Sequence, residues 1–187
     1  MKNISMKNPQ IIRFEYRPEP DDPEYKGCTW ARFDVDETEK LLSITSDCGN
    51  YAYCYWDPGE SSFLEFLSRL GRDYLCEKML GAPTIINEAL TVENIRDAYD
   101  EVEETISEDE YERLLSNLSD IKACNPSDLS STIRCIEDWE DDNDISWIDD
   151  LQELITVDYT PQQKRIIRIF TDYIQPAMRK AIEIAKS

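Results

Sequence analysis

The sequence contains no histidine and only five glycines among its 187 residues. Without histidine, the chain has no imidazole base for a Ser-His-Asp or Cys-His centre and no ligand for a mixed cysteine and histidine zinc site. The phosphate-binding motifs GxxxxGK(S/T) and GxGxxG are also absent, which excludes a P-loop nucleotide hydrolase. These absences favour a binding protein over an enzyme, and we expect no catalytic residues.

The chain also lacks any apolar run long enough for a signal peptide or a membrane span. Its six cysteines include no CxxC pair and are spread through predicted strands and helices, a pattern typical of reduced, mostly buried thiols. Cys28, Cys48 and Cys54 fall within the predicted sheet, but a four-thiolate zinc site usually draws on close cysteine pairs. We therefore expect a cytoplasmic protein without a bound cofactor or metal.

Residues 11–56 alternate apolar and polar side chains, as half-buried β-strands do. Four such segments are present, around Phe14, Phe33, Ile44 and Tyr51–Tyr55. The links between the last three are short and polar, so these strands should form an antiparallel meander. The tyrosines of the last segment are either core beneath a helix or contact residues for a protein partner.

Helical periodicity begins after Pro58-Gly59, where Ser62 and Glu65 form a capping box before an apolar segment. This helix should cover one face of the sheet, because a sheet must bury one face against another layer. No further convincing strand follows Pro83. Helix starts with local capping chemistry recur instead, at Thr91, Ser107 with Glu110, Asn125-Pro126 and Thr160-Pro161.

These patterns predict an α+β fold in two parts. Residues 1–82 form an N-terminal antiparallel sheet of about four strands packed by a helix, and residues 83–187 form an acidic helical region ending in a basic helix. The last helix carries an apolar stripe at helical spacing, and Pro176 should kink or divide it. We expect this basic helix either to lie against an acidic helix or to face a separate partner.

The charge of the chain is strongly one-sided, since 40 acidic residues against 20 basic ones give a formal charge of −20. Eleven carboxylates and one base lie between Glu88 and Glu112, and ten carboxylates and no base lie between Glu137 and Asp158. A field of this sign repels nucleic acids and anionic membranes and attracts basic surfaces. We therefore expect a protein partner with a basic nucleic-acid-binding surface, and no direct binding to nucleic acid or membrane.

The first acidic segment suggests how such a partner would be bound. If it formed one helix, its carboxylates would recur about every 3.4 Å along the axis, close to the ~3.4 Å phosphate interval of one DNA strand. This spacing motivates a hypothesis of nucleic-acid mimicry, whereas the alternative is a solubilising helix face. Under mimicry, the partner-binding residues are carboxylates of both segments with two tryptophan anchors: Glu93, Asp97, Asp100, Glu101, Glu104, Glu108, Glu137, Asp138, Trp139, Glu140, Asp141, Asp142, Asp144 and Trp147.

Two other functions stay open at this point. The run Glu140–Asp144 offers oxygen ligands for Mg²⁺ or Mn²⁺, which would suit a carboxylate enzyme acting on phosphate esters. Read as an EF-hand loop from Asp138, this run fails at Asn143, where the loop needs a glycine. The remaining alternative is an acidic adaptor protein whose charge serves solubility.

Three segments of the N-terminal half resemble a module of small phage and prophage proteins. They are TWARFDV at 29–35, LSITSDCGNYAY at 42–53 and SFLEFLSRLGRDYL at 62–75. The module is similar to acidic anti-defence proteins, including inhibitors of type II CRISPR effectors, and the resemblance covers about residues 28–80. It implies an anti-CRISPR inhibitor of a Cas9-type effector that acts in the cytoplasm of the bacterial host by blocking guide loading, target binding or cleavage. It brings no catalytic residues with it.

Overall fold

The computed structural model describes residues 9–22, 25–55, 62–101, 106–143 and 151–186. The chain divides into two compact units. Unit 1 contains Met1–Ala82 together with Pro161–Ser187, and unit 2 contains Pro83–Thr160. The break after Ala82 coincides with the predicted start of the second part, but the second break, before Pro161, differs from the prediction.

Unit 1 is built on a four-stranded antiparallel sheet, which confirms the predicted strands and their meander. In chain order, which is also the order in the sheet, the strands are β1 Ile11–Tyr16, β2 Ala31–Asp36, β3 Leu41–Ser46 and β4 Gly49–Cys54. Phe33 lies opposite Phe14 in one neighbouring strand and opposite Ile44 in the other. Gly49 closes the last turn at a φ of 118°, a left-handed backbone conformation that favours glycine.

The helix that follows the sheet begins where the capping box predicts. Helix α1, Phe63–Leu67, has Ser62 as its N-cap, whose hydroxyl accepts a hydrogen bond from the Glu65 amide at 3.1 Å. Glu37, in the turn between β2 and β3, adds a second cap, because its carboxylate accepts from the first two amides of the helix at 2.9 and 2.7 Å. These amides would otherwise lack partners, so Glu37 ties the helix to the sheet.

The tyrosine row of β4 belongs to the core of unit 1. Tyr53 is buried and shares a hydrogen bond with the hydroxyl of Tyr74 at 2.9 Å, while Tyr55 stacks on Phe66 with ring centroids 4.5 Å apart. Tyr74 lies in a second helix, α2, which spans Arg72–Leu75 and runs into a π-helical turn at Cys76–Leu80. Of the two alternatives for this row, the structure therefore shows the core one.

The last helical segment belongs to unit 1. It consists of α7, Pro161–Ile169, a π-helical turn, Phe170–Ile174, and a final helix, Gln175–Lys186, which is numbered α8 below. Phe170 is fully buried, with its ring centroid 5.7 Å from that of Phe33 in the sheet. The π-helical turn divides the segment just before Pro176, which lacks the amide needed to continue a regular helix.

Polar contacts explain why this segment belongs with the sheet. The side-chain amide of Gln175 donates to the carbonyls of Leu67 and Leu70, both at 2.9 Å, and Arg179 donates to the carbonyl of Ser68 at 2.7 Å. These carbonyls lie at and just beyond the C-terminal end of α1, where a helix leaves acceptors without partners. The basic segment of the predicted second part, 83–187, thus packs on α1 within unit 1.

Unit 2 is mainly helical. Its elements are β5 Ile85–Ile86, α3 Glu88–Glu101, α4 Glu108–Cys124, α5 Leu129–Asn143, α6 Leu151–Leu154 and β6 Val157–Asp158. The two short strands pair antiparallel, and the sequence did not reveal them because two residues show no alternation. None of the helices in the described ranges has the length and apolar character needed to cross a membrane.

One of the three predicted helix starts in unit 2 is confirmed. The Ser107 hydroxyl accepts from the Glu110 amide at 3.4 Å. Thr91, in contrast, is buried within α3, and the cap is Asn87, whose side-chain oxygen accepts from the Leu90 amide at 3.2 Å.

The third predicted start, at Asn125-Pro126, lies too early in the chain. Asn125 closes α4 as its C-terminal cap. Asp128 begins α5 instead, because its carboxylate accepts from the amide and the hydroxyl of Ser131 at 3.0 and 2.8 Å.

Candidate functional site

Almost all of the net charge belongs to unit 2. Between Pro83 and Thr160 the sequence has 23 carboxylates and four basic residues, a net charge of −19. The two segments of unit 1 together have 17 carboxylates and 16 basic residues, a net charge of −1. The acidity is therefore a property of one folded unit and not of the whole surface.

Helices α3 and α4 run antiparallel. Two ion pairs join them, one towards each end of the helix pair. At one end, Lys122 of α4 pairs with Glu88, the first residue of α3. At the other end, Arg96 of α3 pairs with Glu108, the first residue of α4, at 2.7 Å. The C-terminal half of α3 therefore lies beside the N-terminal turn of α4.

Helix α5 brings the second acidic segment to this same end. The indole N–H of Trp139 donates to the carbonyl of Glu110 at 3.0 Å, and the guanidinium of Arg113 lies 3.9 Å from the carboxylate of Asp142. Late α5 therefore lies beside early α4. We define the acidic end of unit 2 as seven exposed carboxylates on these neighbouring parts of α3, α4 and α5: Asp97, Asp100, Glu108, Asp109, Asp138, Asp141 and Asp142.

This arrangement corrects the expected geometry of the first acidic segment. Glu88–Glu112 does not form one helix, because α3 has its last described residue at Glu101 and α4 begins at Glu108. Its carboxylates do not form a row at one spacing along a single axis. Instead, two antiparallel helices double the segment back, and α5 adds the second segment to the same end.

The basic residues of unit 2 are too few to neutralise this end. Arg96 pairs with Glu108 and also lies over the ring of Tyr111, with 4.7 Å between the guanidinium carbon and the ring centroid. The hydrogen bond from Arg96 to Glu108 raises the pKa of the guanidinium. Arg113 pairs with Glu110 at 2.8 Å as well as lying near Asp142. Two cations thus face a surplus of carboxylates, which stays negative at neutral pH.

The helix ends make this concentration of charge costly for the fold. Carboxylates stabilise the N-terminal turn of a helix and destabilise its C-terminal turn, because of the helix dipole. Asp109 lies at the start of α4, where a carboxylate is favourable. Asp100 and Asp141 lie near the described C-terminal ends of α3 and α5, where a carboxylate is unfavourable. Neither α3 nor α5 has a basic residue in its last turn. A basic partner would relieve this repulsion.

The residues predicted to bind a partner divide into three groups. Seven are exposed, namely Glu93, Asp97, Asp100, Glu108, Asp138, Asp141 and Asp142, and Glu137 is half-buried. The side chain of Glu101 and the residues Glu104, Asp144 and Trp147 lie outside the described part of the chain. Trp139 and Glu140 are only 2% and 0% exposed, so neither is accessible to a partner in this structure. Sequence analysis missed Asp109, although it lies in the same acidic segment.

Trp139 and Glu140 instead form the core beneath the acidic end. Tyr99 donates its hydroxyl hydrogen to the Glu140 carboxylate, and the Trp139 ring lies 6.0 Å from that of Tyr99 and 5.7 Å from that of Tyr111. Burial raises the pKa of Tyr111, and the nearby carboxylate of Asp100 adds to the effect. The aromatic anchor that the sequence suggested is therefore a support for the charged surface.

A metal site at the acidic run Glu140–Asp144 is not formed by the described residues. Glu140 is inside the core, and Asp144 lies outside the described ranges. In the described parts of the chain, the single group of three closely spaced residues with metal-ligating side chains is Cys28, Asp47 and Cys48, in unit 1. Cys54, the third cysteine of the predicted sheet, is exposed and does not belong to this group.

Comparison with known proteins links most of the chain to one family. The model of a phage family, Phage_phiTE_072, matches residues 13–180, which include nearly all of both units. No curated protein matches the chain, and no solved structure matches it either. The family match supports a phage origin.

Proposed function

The chain belongs to the Phage_phiTE_072 family, a phage family, and we propose that it is a non-enzymatic phage protein that binds a basic surface of a bacterial nucleic-acid-processing effector. The acidic end of unit 2 is the contact surface in this proposal. The partner surface is one that normally holds nucleic acid, since such surfaces are rich in lysine and arginine.

The observation that carries the proposal is the meeting of the two acidic segments at one end of unit 2. They are separate in the sequence, yet the contacts of Arg96, Arg113 and Trp139 bring their carboxylates together on three helix ends. A solubilising charge gains nothing from this concentration, which works against the dipoles of α3 and α5. A surface that must attract a basic partner gains both affinity and speed of association.

The proposed mode of binding is nucleic-acid mimicry by a patch of charge. Carboxylates of the acidic end would take the places of phosphates without matching the regular spacing of one strand. Unit 2 carries a charge of −19 within 78 residues, so its field would steer the protein towards a basic channel. Occupying the channel would exclude the nucleic acid and inhibit the effector without any chemical step.

The specific target that we propose is a Cas9-type effector, which makes the protein an anti-CRISPR inhibitor. This choice rests on the resemblance of the N-terminal half to anti-defence proteins. Cas9-type effectors hold the guide and target duplex in a positively charged channel. The proposed contact is therefore with the channel, and the chain would compete with the nucleic acid for it.

The first experiment measures binding of the full chain to a Cas9-type effector with and without guide RNA, by biolayer interferometry. We expect binding to the guide-free effector that weakens at least tenfold when salt rises from about 0.05 to about 0.5 M. Binding to the guide-loaded effector should be weaker, because RNA already occupies the channel. Equal binding to both states that does not depend on salt contradicts the mimicry.

The second experiment separates the location of charge from its amount. An acidic-end variant combines Asp97→Asn, Asp100→Asn, Asp138→Asn and Asp141→Asn. A control variant combines four exposed positions of unit 1: Glu19→Gln, Asp21→Asn, Asp73→Asn and Glu183→Gln. Both variants lose the same four negative charges. We expect the first to lose at least tenfold in affinity and the second to change by less than about twofold; equal losses would show that net charge alone acts.

A further inference from the structure

Two buried thiols and a carboxylate meet in unit 1. Cys28 precedes β2, whereas Asp47 and Cys48 lie in the turn between β3 and β4. Their ligand-type atoms, two sulfurs and one carboxylate oxygen, all lie within 4.8 Å of one another. A tetrahedral zinc ion needs two sulfurs about 3.8 Å apart, at about 2.3 Å from the metal. The group is therefore close to the size of a zinc site before any side chain moves.

The carboxylate of Asp47 is oriented for such a role. The amide and the hydroxyl of Thr29 both donate to the same oxygen, Oδ2, at 2.8 and 2.5 Å. These two hydrogen bonds fix the orientation of the carboxylate beside the two sulfurs. Metal-ligating carboxylates are typically held in this way, with one oxygen hydrogen-bonded and the other directed to the ion.

The two sulfurs of the group are buried, whereas the carboxylate beside them is open to solvent. Cys28 is 0% exposed and Cys48 is 3% exposed, whereas Asp47 is exposed. An ion could therefore enter past Asp47 and keep a water molecule as its fourth ligand on that side. Three protein ligands and one water are the usual set for an open zinc site.

Arg165 of α7 supplies the positive charge that the sulfurs would need around them. Its guanidinium lies against the backbone of Gly27, where a Cβ atom would fall 1.6 Å from Nη1, so only glycine leaves room for it. Arg165 also hydrogen-bonds to Cys48. Hydrogen bonds from N–H groups to sulfur are what stabilise thiolate ligands in metal sites.

The charges of the group balance without an ion when both thiols are neutral, and they balance again when one divalent ion replaces the two thiol protons. Two thiolates and Asp47 contribute three negative charges, and Arg165 contributes one positive charge. A divalent cation brings the total to zero, which is the arrangement that a buried site favours.

We propose that Cys28, Cys48 and Asp47 bind one thiophilic divalent cation, for which Zn²⁺ is the natural candidate. Such an ion joins the loop before β2 to the turn between β3 and β4. It therefore stabilises the end of the sheet at which these two segments lie. Binding releases two protons, one from each thiol, and the electron pairs of both sulfurs become bonds to the metal. A disulfide between the same cysteines would not involve Asp47 and would require an oxidant.

The test titrates the reduced full chain with Zn²⁺ by calorimetry and with Co²⁺ by absorption spectroscopy. We expect one ion per chain, a thiolate-to-cobalt charge-transfer band, and a higher Tm in the presence of Zn²⁺. Cys28→Ser, Cys48→Ser and Asp47→Asn should each weaken binding by more than about tenfold. Asp47→Asn keeps both thiols and nearly the same shape, so it reports on the ligand set even if a cysteine variant folds poorly.

Two exposed cysteines provide matched controls. Cys54→Ser and Cys124→Ser remove thiols that lie outside the group and should leave affinity and stoichiometry unchanged. Absence of a one-to-one complex, or equal binding by the double variant Cys28→Ser/Cys48→Ser, would overturn the proposal. Mass spectrometry showing a Cys28–Cys48 disulfide in protein purified under reducing conditions would overturn it too.

Discussion

The Tyr99 hydroxyl donates a hydrogen bond to the carboxylate of Glu140, a side chain without solvent exposure, and so joins α3 to α5 beneath the acidic end. A buried carboxylate is costly unless it is hydrogen-bonded. Glu140 lies among apolar and aromatic side chains of the unit 2 core, next to Trp139. The contact therefore holds together the two helices whose ends carry most of the exposed carboxylates.

Replacing Tyr99 by phenylalanine should destabilise unit 2 by about 1–3 kcal/mol, because the buried carboxylate loses this donor. Unfolding in urea measures the change. Tyr111→Phe is the matched control, since Tyr111 is also buried in the same core and its hydroxyl has no hydrogen-bond partner among the described residues. If Tyr111→Phe lowered the stability of unit 2 as much as Tyr99→Phe does, the hydrogen bond to Glu140 would not explain the effect.

The dipole argument predicts opposite effects for one substitution at different helix ends. Asp100→Asn and Asp141→Asn remove negative charge near the described C-terminal ends of α3 and α5, so each should stabilise unit 2 by about 0.3–1 kcal/mol. Asp109→Asn removes it from the first turn of α4 and should destabilise the unit by a similar amount. Chemical denaturation at low ionic strength tests the signs, and high salt should reduce all three effects. Stabilisation by all three variants would mean that general repulsion dominates over the dipoles.

The ion pair between Glu88 and Lys122 should contribute stability that depends on pH. Burial raises the pKa of Glu88, but the hydrogen bond and charge of Lys122 together with a backbone hydrogen bond outweigh it, so the pKa is below the ordinary 4.5. A carboxyl with a depressed pKa stabilises the folded state above its unfolded pKa and loses that contribution as pH falls through the folded value. We expect the stability difference between wild type and Glu88→Gln to be largest above pH 4.5 and to shrink below it.

A second variant checks the origin of this pH dependence. Lys122→Met removes the partner of Glu88 and should reproduce the same shape of the difference curve. Urea unfolding at a series of pH values between about 6 and about 3 provides the curves. A difference that stays constant across this range would show that the pair adds nothing that depends on ionisation.

Gln175→Leu should destabilise unit 1 even though leucine is apolar and of similar size. The substitution leaves the carbonyls of Leu67 and Leu70 without the donor that they have at 2.9 Å, which costs about 1–3 kcal/mol for a buried polar group. Gln162→Leu, at an exposed position of α7, is the control and should have little effect. If both variants unfold at the same denaturant concentration as the wild type, these hydrogen bonds do not anchor α8.

Local features were predictable from the sequence because they depend on neighbouring residues. Alternation around Phe33 and Ile44 sets which strand face is buried, and the hydroxyls of Ser62 and Ser107 cap helices through amides only three residues away. The caps at Asn87 and Asp128 were missed because several polar residues near each start offer similar local chemistry. The second cap of α1 could not be predicted from local sequence, because Glu37 lies in a turn 26 residues before the amide that it caps.

The sequence by itself determined the four-stranded meander, the lack of histidine chemistry, the charge of −20 and its two acidic segments. Tertiary structure alone decided that Trp139 and Glu140 are buried, that Gln175 brings the basic helices to unit 1, and that the acidic segments meet at one end of unit 2. The physical reason is the distance along the chain over which each effect acts. Periodicity and capping act within one or two turns of chain, whereas burial and the approach of like charges depend on which elements pack together.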